Sequence, residues 1–120
     1  LQIIKGWVNA DGHFEQSVVD VAGDANNGAG VDTNTCTAYG EDFAALCGVW
    51  EDSDFNANQD AVYYARVIEN PSCRWSTRMC LNFDKESRPD ACDNARIPAS
   101  IQERAWTAPI WFEAGRAGIP

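Results

Sequence analysis

The segment that decides the fold is residues 1–22, which read LQIIKGWVNADGHFEQSVVDVA. Two runs rich in β-branched and aromatic residues flank the dipeptide Asp11-Gly12, which is a strong hairpin-turn signal. A type I′ turn needs positive φ at both central residues, and Asp-Gly is one of the dipeptides that accept it. The segment therefore predicts an antiparallel hairpin with a two-residue loop, and this loop places Ile4 opposite Val19.

Beyond the hairpin, two segments have strand character and one has helical periodicity. Residues 61–69 read AVYYARVIE, and residues 101–112 form a last strand that Pro109 places at a sheet edge or beside a bulge. Residues 41–50 predict a short helix, because four apolar residues recur there at the spacing i, i+3, i+4 and i+7. Those residues are Phe43, Leu46, Cys47 and Trp50.

Together these elements predict a mainly β fold with a minor α component. Residues 70–98 hold three cysteines and three prolines with little periodicity, and we interpret them as an irregular loop held by disulfides. We expect a small antiparallel sheet or sandwich with one short helix and disulfide-stapled loops. Because 120 residues fit one domain, residues 1–120 are predicted to form a single domain.

The cysteines favour disulfides over a metal site. None is spaced as CxxC, and the spacings are loose for the alternative, a zinc site built from three cysteines and His13. We expect two local disulfides, with Cys36–Cys47 as one pair and the other pair left open among the later three. Disulfides indicate a periplasmic or extracellular setting. The cysteines are Cys36, Cys47, Cys73, Cys80 and Cys92.

The charge balance excludes several classes of partner. Nine basic and 18 acidic side chains give a net charge of −9. A phosphate backbone and an anionic membrane surface would both repel such a chain, so neither nucleic acid nor a membrane is an expected partner. No apolar run approaches the roughly 20 residues that a bilayer-spanning helix needs.

A loop between the predicted helix and the strand at residues 61–69 carries five alternating oxygen donors. Calcium-binding loops collect carboxylate and amide oxygens in this way, so the loop is a candidate calcium site. It lacks the glycine and the closing glutamate of an EF-hand loop. The alternative is a solvated turn in which the same side chains cap neighbouring backbone groups. The five residues are Asp52, Asp54, Asn56, Asn58 and Asp60.

The second candidate site is the stretch Cys73-Arg74-Trp75-Ser76-Thr77. Arginine binds phosphate or sulfate through paired hydrogen bonds and tryptophan stacks, so the stretch is suited to an anionic or sugar-like ligand. The alternative is a disulfide-anchored loop that packs Trp75 on the sheet. A serine-hydrolase site is not indicated, because the chain has one histidine and no GxSxG sequence.

Three blocks of the sequence resemble the C-terminal end of the family catalogued as domain of unknown function thirty-six hundred and four. They are residues 1–7 with 18–22, residues 63–76 (YYARVIENPSCRWS) and residues 101–111 (IQERAWTAPIW). This family is similar to the polymerase-and-histidinol-phosphatase (PHP) metallohydrolases, and its members are long, often secreted, and carry their metal-binding His and Asp residues upstream of these blocks. The resemblance implies a phosphoesterase-like or sulfatase-like parent that uses a divalent metal.

Two functions from different classes follow. In the first, the chain is the C-terminal structural or substrate-rim domain of such a parent, is not catalytic alone, and has the missing N-terminal catalytic domain as its partner. Four of its side chains are then expected to face the parent's active-site cleft. In the second, the chain is a free-standing ligand-binding or self-assembly β-module that forms a homo-oligomer through an exposed apolar patch. The four side chains are Arg66, Arg74, Trp75 and Arg104.

Overall fold

The computed structural model describes residues 1–115, and most of their regular structure is β-strand. The predicted fold class is confirmed, since small antiparallel sheets, one short helix and two disulfides make up the structure. The strands are β1 (Gln2–Val8), β2 (Phe14–Asp20), β3 (Gly30–Asp32), β4 (Thr37–Tyr39), β5 (Ala61–Ile68), β6 (Ser72–Cys73), β7 (Ser100–Ile101), β8 (Arg104–Trp106) and β9 (Ile110–Phe112); the helix is α1 (Trp75–Cys80), and a 3₁₀ turn covers Asp90–Asp93.

The chain folds into two compact units, each made from segments that are distant in sequence. Unit 1 comprises Leu1–Gly23, Ala45–Val67 and the stretch that begins at Arg104. Unit 2 comprises Asp24–Ala44 and Ile68–Glu103. The single-domain assignment stays a prediction.

Unit 1 is built on a sheet with the strand order β2-β1-β5-β8, in which β9 also pairs with β5. β1 pairs antiparallel with both β2 and β5. β-Branched and aromatic residues are frequent in β1 and β5, and such side chains fit a pleated, half-buried surface. The strand predicted at residues 61–69 is thereby confirmed as β5.

The N-terminal hairpin forms, but its predicted turn is wrong. Asn9 N–H donates to the carbonyl of His13 at 2.9 Å, so the loop has three residues instead of two. Gly12 has a φ of 81°, whereas Asp11 is not among the described residues with positive φ. This fits a type I turn closed by a glycine bulge, and the additional loop residue shifts the register of the hairpin by one.

The shifted register decides which side chains share a face of the sheet. Ile4 lies opposite Val18 of β2 and not opposite Val19 as predicted. Lys5, the next residue, points to the other face together with Tyr63 of β5. Ile4 is 3% and Lys5 is 7% exposed, so the centre of β1 is covered on both faces.

The helix predicted over residues 41–50 is wrong, because this segment has no regular secondary structure. The division between the two units falls inside it, between Ala44 and Ala45. A Cβ on Gly48 would lie 2.7 Å from the carbonyl oxygen of Val21, so the backbone packs closely against the residue that follows β2. Ten residues form no stable helix from propensity alone, and tertiary packing here favours an extended path.

Unit 2 consists of two small two-stranded sheets, β3-β4 and β6-β7, together with α1 and the 3₁₀ turn. The one short helix of the described structure therefore lies in the segment 70–98, which was predicted to be irregular, and not at residues 41–50. Six residues are too few to show helical periodicity in a sequence. No helix within residues 1–115 is long and apolar enough to cross a membrane.

The two disulfides lie in unit 2, and the predicted Cys36–Cys47 pair is wrong. Cys36 bonds to Cys73, and Cys80 bonds to Cys92. Cys36 lies in the turn between β3 and β4, and because β3 contacts β6, which ends at Cys73, the two thiols meet. Cys47 is a free, exposed thiol in unit 1. This pairing leaves no three cysteines for the zinc alternative.

The strand predicted over residues 101–112 is divided into three short strands, β7, β8 and β9. Pro109 lies in the break that precedes β9, as expected for a residue that cannot donate to a ladder.

Candidate functional site

In unit 1, an ionic cluster forms around the buried Lys5. Its ammonium lies 2.5 Å from the Asp52 carboxylate and donates to the Asp54 carbonyl at 3.1 Å. The Tyr63 hydroxyl donates to the same carboxylate at 2.7 Å. The ammonium also lies 5.3 Å from the centre of the Trp7 ring, which is within the range of cation–π attraction. The charged groups of this cluster are paired with each other, so its role is structural.

Hydrogen bonding sets the protonation states in this cluster. Burial raises the pKa of the Asp52 carboxyl, but hydrogen bonds from Lys5, Tyr63 and the Asp54 N–H, with the charge of Lys5, outweigh burial and hold that pKa below its ordinary value. Burial, together with the hydrogen bond to Asp52 and the negative charge of that carboxylate, raises the pKa of Tyr63 to about 12. At neutral pH, Asp52 is therefore ionised and Tyr63 is neutral.

Three of the five residues predicted to bind calcium use side-chain oxygens in hydrogen bonds within unit 1. Asp52 belongs to the ionic cluster, and its Oδ1 accepts a hydrogen bond from the backbone N–H of Asp54 at 3.1 Å. Asn56 Oδ1 accepts from the N–H of Asn58 at 2.9 Å, and Asp60 Oδ1 accepts from a loop N–H at 2.6 Å. Within residues 1–115, no three His, Cys, Asp or Glu side chains form a group that could hold a metal ion. Calcium binding by this loop stays a prediction.

The two arginines of unit 1 that were predicted to bind a ligand differ in their contacts. Arg66 on β5 donates from Nε and Nη2 to Gln2 Oε1, at 2.9 and 2.5 Å. Arg104, the first residue of β8, is exposed. The other two predicted residues, Arg74 and Trp75, belong to unit 2.

In unit 2, Arg74 and Trp75 are held by a disulfide and a backbone hydrogen bond. Arg74 follows Cys73, which is bonded to Cys36, and its N–H donates to the carbonyl of Ala99 at 3.0 Å. Arg74 Nε is buried and has no hydrogen-bond partner in the described part of the chain. Trp75, the first residue of α1, is 72% exposed, so the interpretation that packs Trp75 on the sheet is wrong.

These two neighbours offer a ligand a guanidinium and an indole. Arg74 Nε is out of reach of solvent, so the Nη groups of this half-buried guanidinium are the donors that a ligand oxygen can reach. A hydrogen bond from such a charged group contributes about 1.5–3 kcal/mol. The exposed ring of Trp75 provides a flat surface on which a sugar-like or cationic group can stack.

Unit 2 also contains a cavity that was not predicted from the sequence. Its volume is about 210 Å³, and α1, the 3₁₀ turn and the β3–β4 turn contribute to its walls. Arg88 lines it, and Arg88 Nε is buried without a partner among residues 1–115. The one sequence signal for Arg88 is its place between Cys80 and Cys92, and this signal becomes informative only when the pairing of those two cysteines is known.

The fold and these features define a small, mainly β domain that is cross-linked by disulfides and carries arginine side chains with unpaired donors. The model of the family described as "Protein of unknown function (DUF3604)" matches residues 1–114, and the chain belongs to this family. The family resemblance of the three sequence blocks is thereby confirmed. Neither a curated protein nor a solved structure matches the chain.

Proposed function

We propose that this chain is a structural or substrate-rim domain of a secreted PHP-like metallohydrolase and is not catalytic alone. The parent is proposed to act as a phosphoesterase or a sulfatase, with its divalent metal held by a separate N-terminal catalytic domain. The observation that carries the proposal is Arg74, whose half-buried guanidinium makes no hydrogen bond among residues 1–115 and which directly precedes the exposed indole of Trp75. Phosphate and sulfate esters are the groups that such a guanidinium recognises.

Arg74 and Trp75 suit the rim better than the other two side chains that were predicted for it. Arg66 already uses Nε and Nη2 on the Gln2 side chain, so fewer of its donors remain for a substrate. Arg104 is exposed on a short strand, and no neighbouring feature indicates a ligand there.

An apolar face on the sheet of unit 1 supports the docking part of the proposal. Val8 lies opposite Phe14 in the hairpin, and the register places Val18 and Trp111 on the same face. These four side chains are between 46% and 70% exposed. They share this face with the buried Ile4, and large exposed apolar side chains that lie close together mark interaction sites. We propose that the catalytic domain covers this face.

The two disulfides support the proposed compartment. Disulfides persist in oxidising environments such as the periplasm and the extracellular space, and they are rare in the cytosol. A secreted parent fits this chemistry.

The first test is hydrolysis of 4-nitrophenyl phosphate, bis-4-nitrophenyl phosphate and 4-nitrophenyl sulfate by the purified chain, with manganese, zinc or calcium added. We expect no turnover. Metal-dependent turnover that a chelator removes would contradict the proposal and would direct mutagenesis to Asp52, Asp60 and Arg74.

The second test uses the complete product of the reading frame that encodes this chain. We expect the coding sequence upstream of Leu1 to contain clustered His and Asp codons. In that protein, Arg74→Gln should raise KM for a phosphate or sulfate ester roughly tenfold or more, since a hydrogen bond from a charged group contributes about 1.5–3 kcal/mol. The control is Arg78→Gln, which removes an exposed arginine of α1. A loss confined to kcat, or an equal effect of both variants, would refute the rim role.

The apolar face of unit 1 also suits the second candidate function, a free-standing ligand-binding or self-assembly module. In that case a signal peptide would directly precede Leu1, and the face would be covered by a second copy of the chain. The same upstream coding sequence therefore decides between the two functions.

A further inference from the structure

The cavity in unit 2 has an unusual charge for this chain. The chain carries a net charge of −9, yet among residues 1–115 no aspartate or glutamate lines the cavity, and Arg88 is the one charged side chain that does. A positively charged, acid-free cavity in an acidic protein favours an anionic ligand. The lining residues are Thr33, Asn34, Ser76, Thr77, Cys80, Arg88, Ala91, Cys92, Asn94, Ile97 and Ala99.

Several hydrogen-bond donors on the wall are not used inside the protein. Thr77 donates its hydroxyl to the carbonyl of Ala99 at 2.7 Å, so it is engaged. In contrast, the hydroxyls of Ser76 and Thr33 make no hydrogen bond within the described residues. Arg88 Nε is buried and has no partner there either. Because Nε is out of reach of solvent, the Nη groups are the donors that Arg88 offers to the cavity.

Asn94 adds a further donor to this set. Its side-chain oxygen accepts from the backbone N–H of Arg96 at 3.0 Å, which leaves its NH₂ group to donate elsewhere. Hydroxyl, amide and guanidinium donors from separate segments thus line one small space. Tetrahedral oxyanions, which have several acceptor oxygens, suit such a set because each oxygen can accept from a different donor.

The size and the framework of the cavity limit the ligand. A volume of about 210 Å³ is below the roughly 300–1,000 Å³ of sites for drug-sized molecules. The Cys80–Cys92 disulfide is part of the wall and joins the end of α1 to the 3₁₀ turn. Ile97 and neighbouring alanines provide an apolar side. The cavity therefore suits one oxyanion with, at most, a short organic group.

We propose that this cavity binds a sulfate or phosphate group, with Arg88 as the anchoring cation and Ser76, Thr33 and Asn94 as hydrogen-bond donors. The ligand is either the free inorganic ion or the ester group of a small molecule. The inference concerns the isolated chain and does not depend on the hydrolase parent.

Calorimetric titration of the purified, oxidised chain tests this proposal. The probes are sodium sulfate, sodium phosphate and 4-nitrophenyl sulfate, each at an ionic strength matched with sodium chloride. We expect saturable binding of at least one probe, at one site per chain. Tighter binding of the nitrophenyl ester than of sulfate would identify an ester as the ligand, and the reverse order would identify the free ion. Binding of none of the three probes would overturn the proposal.

Variants locate the binding in the cavity. Arg88→Gln should weaken it at least tenfold, and Ser76→Ala should weaken it severalfold. Arg78→Gln is the matched control, because Arg78 is an exposed arginine of α1 and does not line the cavity. If Arg88→Gln does not fold, Ser76→Ala and Arg88→Lys are the variants that test the proposal. Binding that is equal in the wild type and in the folded cavity variants would refute the site. The rim role of Arg74 is tested through KM in the complete protein, so a failure of binding to the isolated chain is distinguishable from a failure of the proposed rim.

Discussion

At the scale of single residues, Lys5 shows how one buried charge connects a strand to a loop. Lys5 lies in the middle of β1, where only 7% of it is exposed, and its ammonium is neutralised by Asp52. Replacement of Lys5 by methionine would leave the Asp52 carboxylate close to an apolar side chain. We expect Lys5→Met to lower the free energy of unfolding by about 3 kcal/mol, measured by urea denaturation.

The matched control for this variant is Lys85→Met, because Lys85 is exposed and forms no ion pair in the described part of the chain. We expect it to change stability by less than about 0.5 kcal/mol. Adding Asp52→Asn to Lys5→Met should recover part of the loss, since the unpaired charge is then gone. A Lys5→Met variant as stable as the control would show that the pair contributes nothing.

The ionic cluster also predicts a stability plateau with a limit at each end of the pH scale. The pKa of Tyr63 rises from 10.0 to about 12 on folding, so its contribution is present below pH 10 and is lost as the pH rises toward 12. The pKa of Asp52 falls below 3.8 on folding, so its contribution is present above pH 3.8 and is lost as the pH falls further. Unfolding measured between these limits should give a nearly constant contribution from the cluster.

Ultraviolet absorbance of tyrosinate provides the direct measurement. The chain has three tyrosines, and we expect one of them to titrate near pH 12. Tyr63→Phe should remove that late component, whereas Tyr64→Phe should leave it. A late component that survives in Tyr63→Phe would contradict the assignment.

At the scale of elements, the disulfide pairing predicts which thiol is free. Iodoacetamide should label one cysteine per chain without reduction, and peptide mapping should identify it as Cys47. The cross-linked peptides should contain Cys36 with Cys73 and Cys80 with Cys92. Recovery of Cys36 with Cys47, the pairing expected from sequence proximity, would contradict the structure.

The hairpin turn gives a second prediction at this scale. Gly12 has a φ of 81°, and the left-handed region costs a residue with a Cβ about 1–2 kcal/mol. Gly12→Ala should therefore destabilise the protein by about 1 kcal/mol in thermal or urea unfolding. Gly12→Asn should lose less, because asparagine accepts this conformation more readily. Equal losses in the two variants would indicate that the φ of Gly12 is not the cause.

At the scale of the whole molecule, the exposed apolar face and the net charge have opposite effects on association. The four apolar side chains on the sheet of unit 1 favour self-association of the isolated chain, and the net charge of −9 opposes it. Added salt screens the charge. We expect sedimentation velocity to detect association that increases with salt and that Trp111→Ser reduces. A chain that stays monomeric at high salt would weaken the case for a docking face.

Local patterns in the sequence predicted the strands of unit 1 but not the long-range pairings. β1, β2 and β5 have enough β-branched and aromatic residues to be recognised. The register could not be read from the Asp11-Gly12 dipeptide, because a glycine at positive φ serves both a type I′ turn and a type I turn with a bulge. The helical spacing at residues 41–50 failed because packing around Gly48 outweighs a weak ten-residue propensity.

The candidate sites were predictable only where neighbouring residues define them. Arg74 and Trp75 are adjacent in sequence, so their combined chemistry could be predicted before the fold was known. The cavity around Arg88 could not, because its donors come from segments about 60 residues apart, from Thr33 to Asn94. Likewise, the Lys5–Asp52 pair depends on a loop crossing the face of a sheet, which no local pattern encodes.

Both disulfides stabilise unit 2, whereas the described part of unit 1 contains none. This difference matters for anyone who produces the protein. A reducing bacterial cytosol should yield material in which the amides of β1 and β5 resist hydrogen exchange while those around α1 exchange rapidly. Export to an oxidising compartment should protect both sets. A preparation can therefore have the correct mass and a β-type circular dichroism spectrum while unit 2, which contains Arg74 and Arg88, is unfolded. Ligand screens should begin with a count of free thiols.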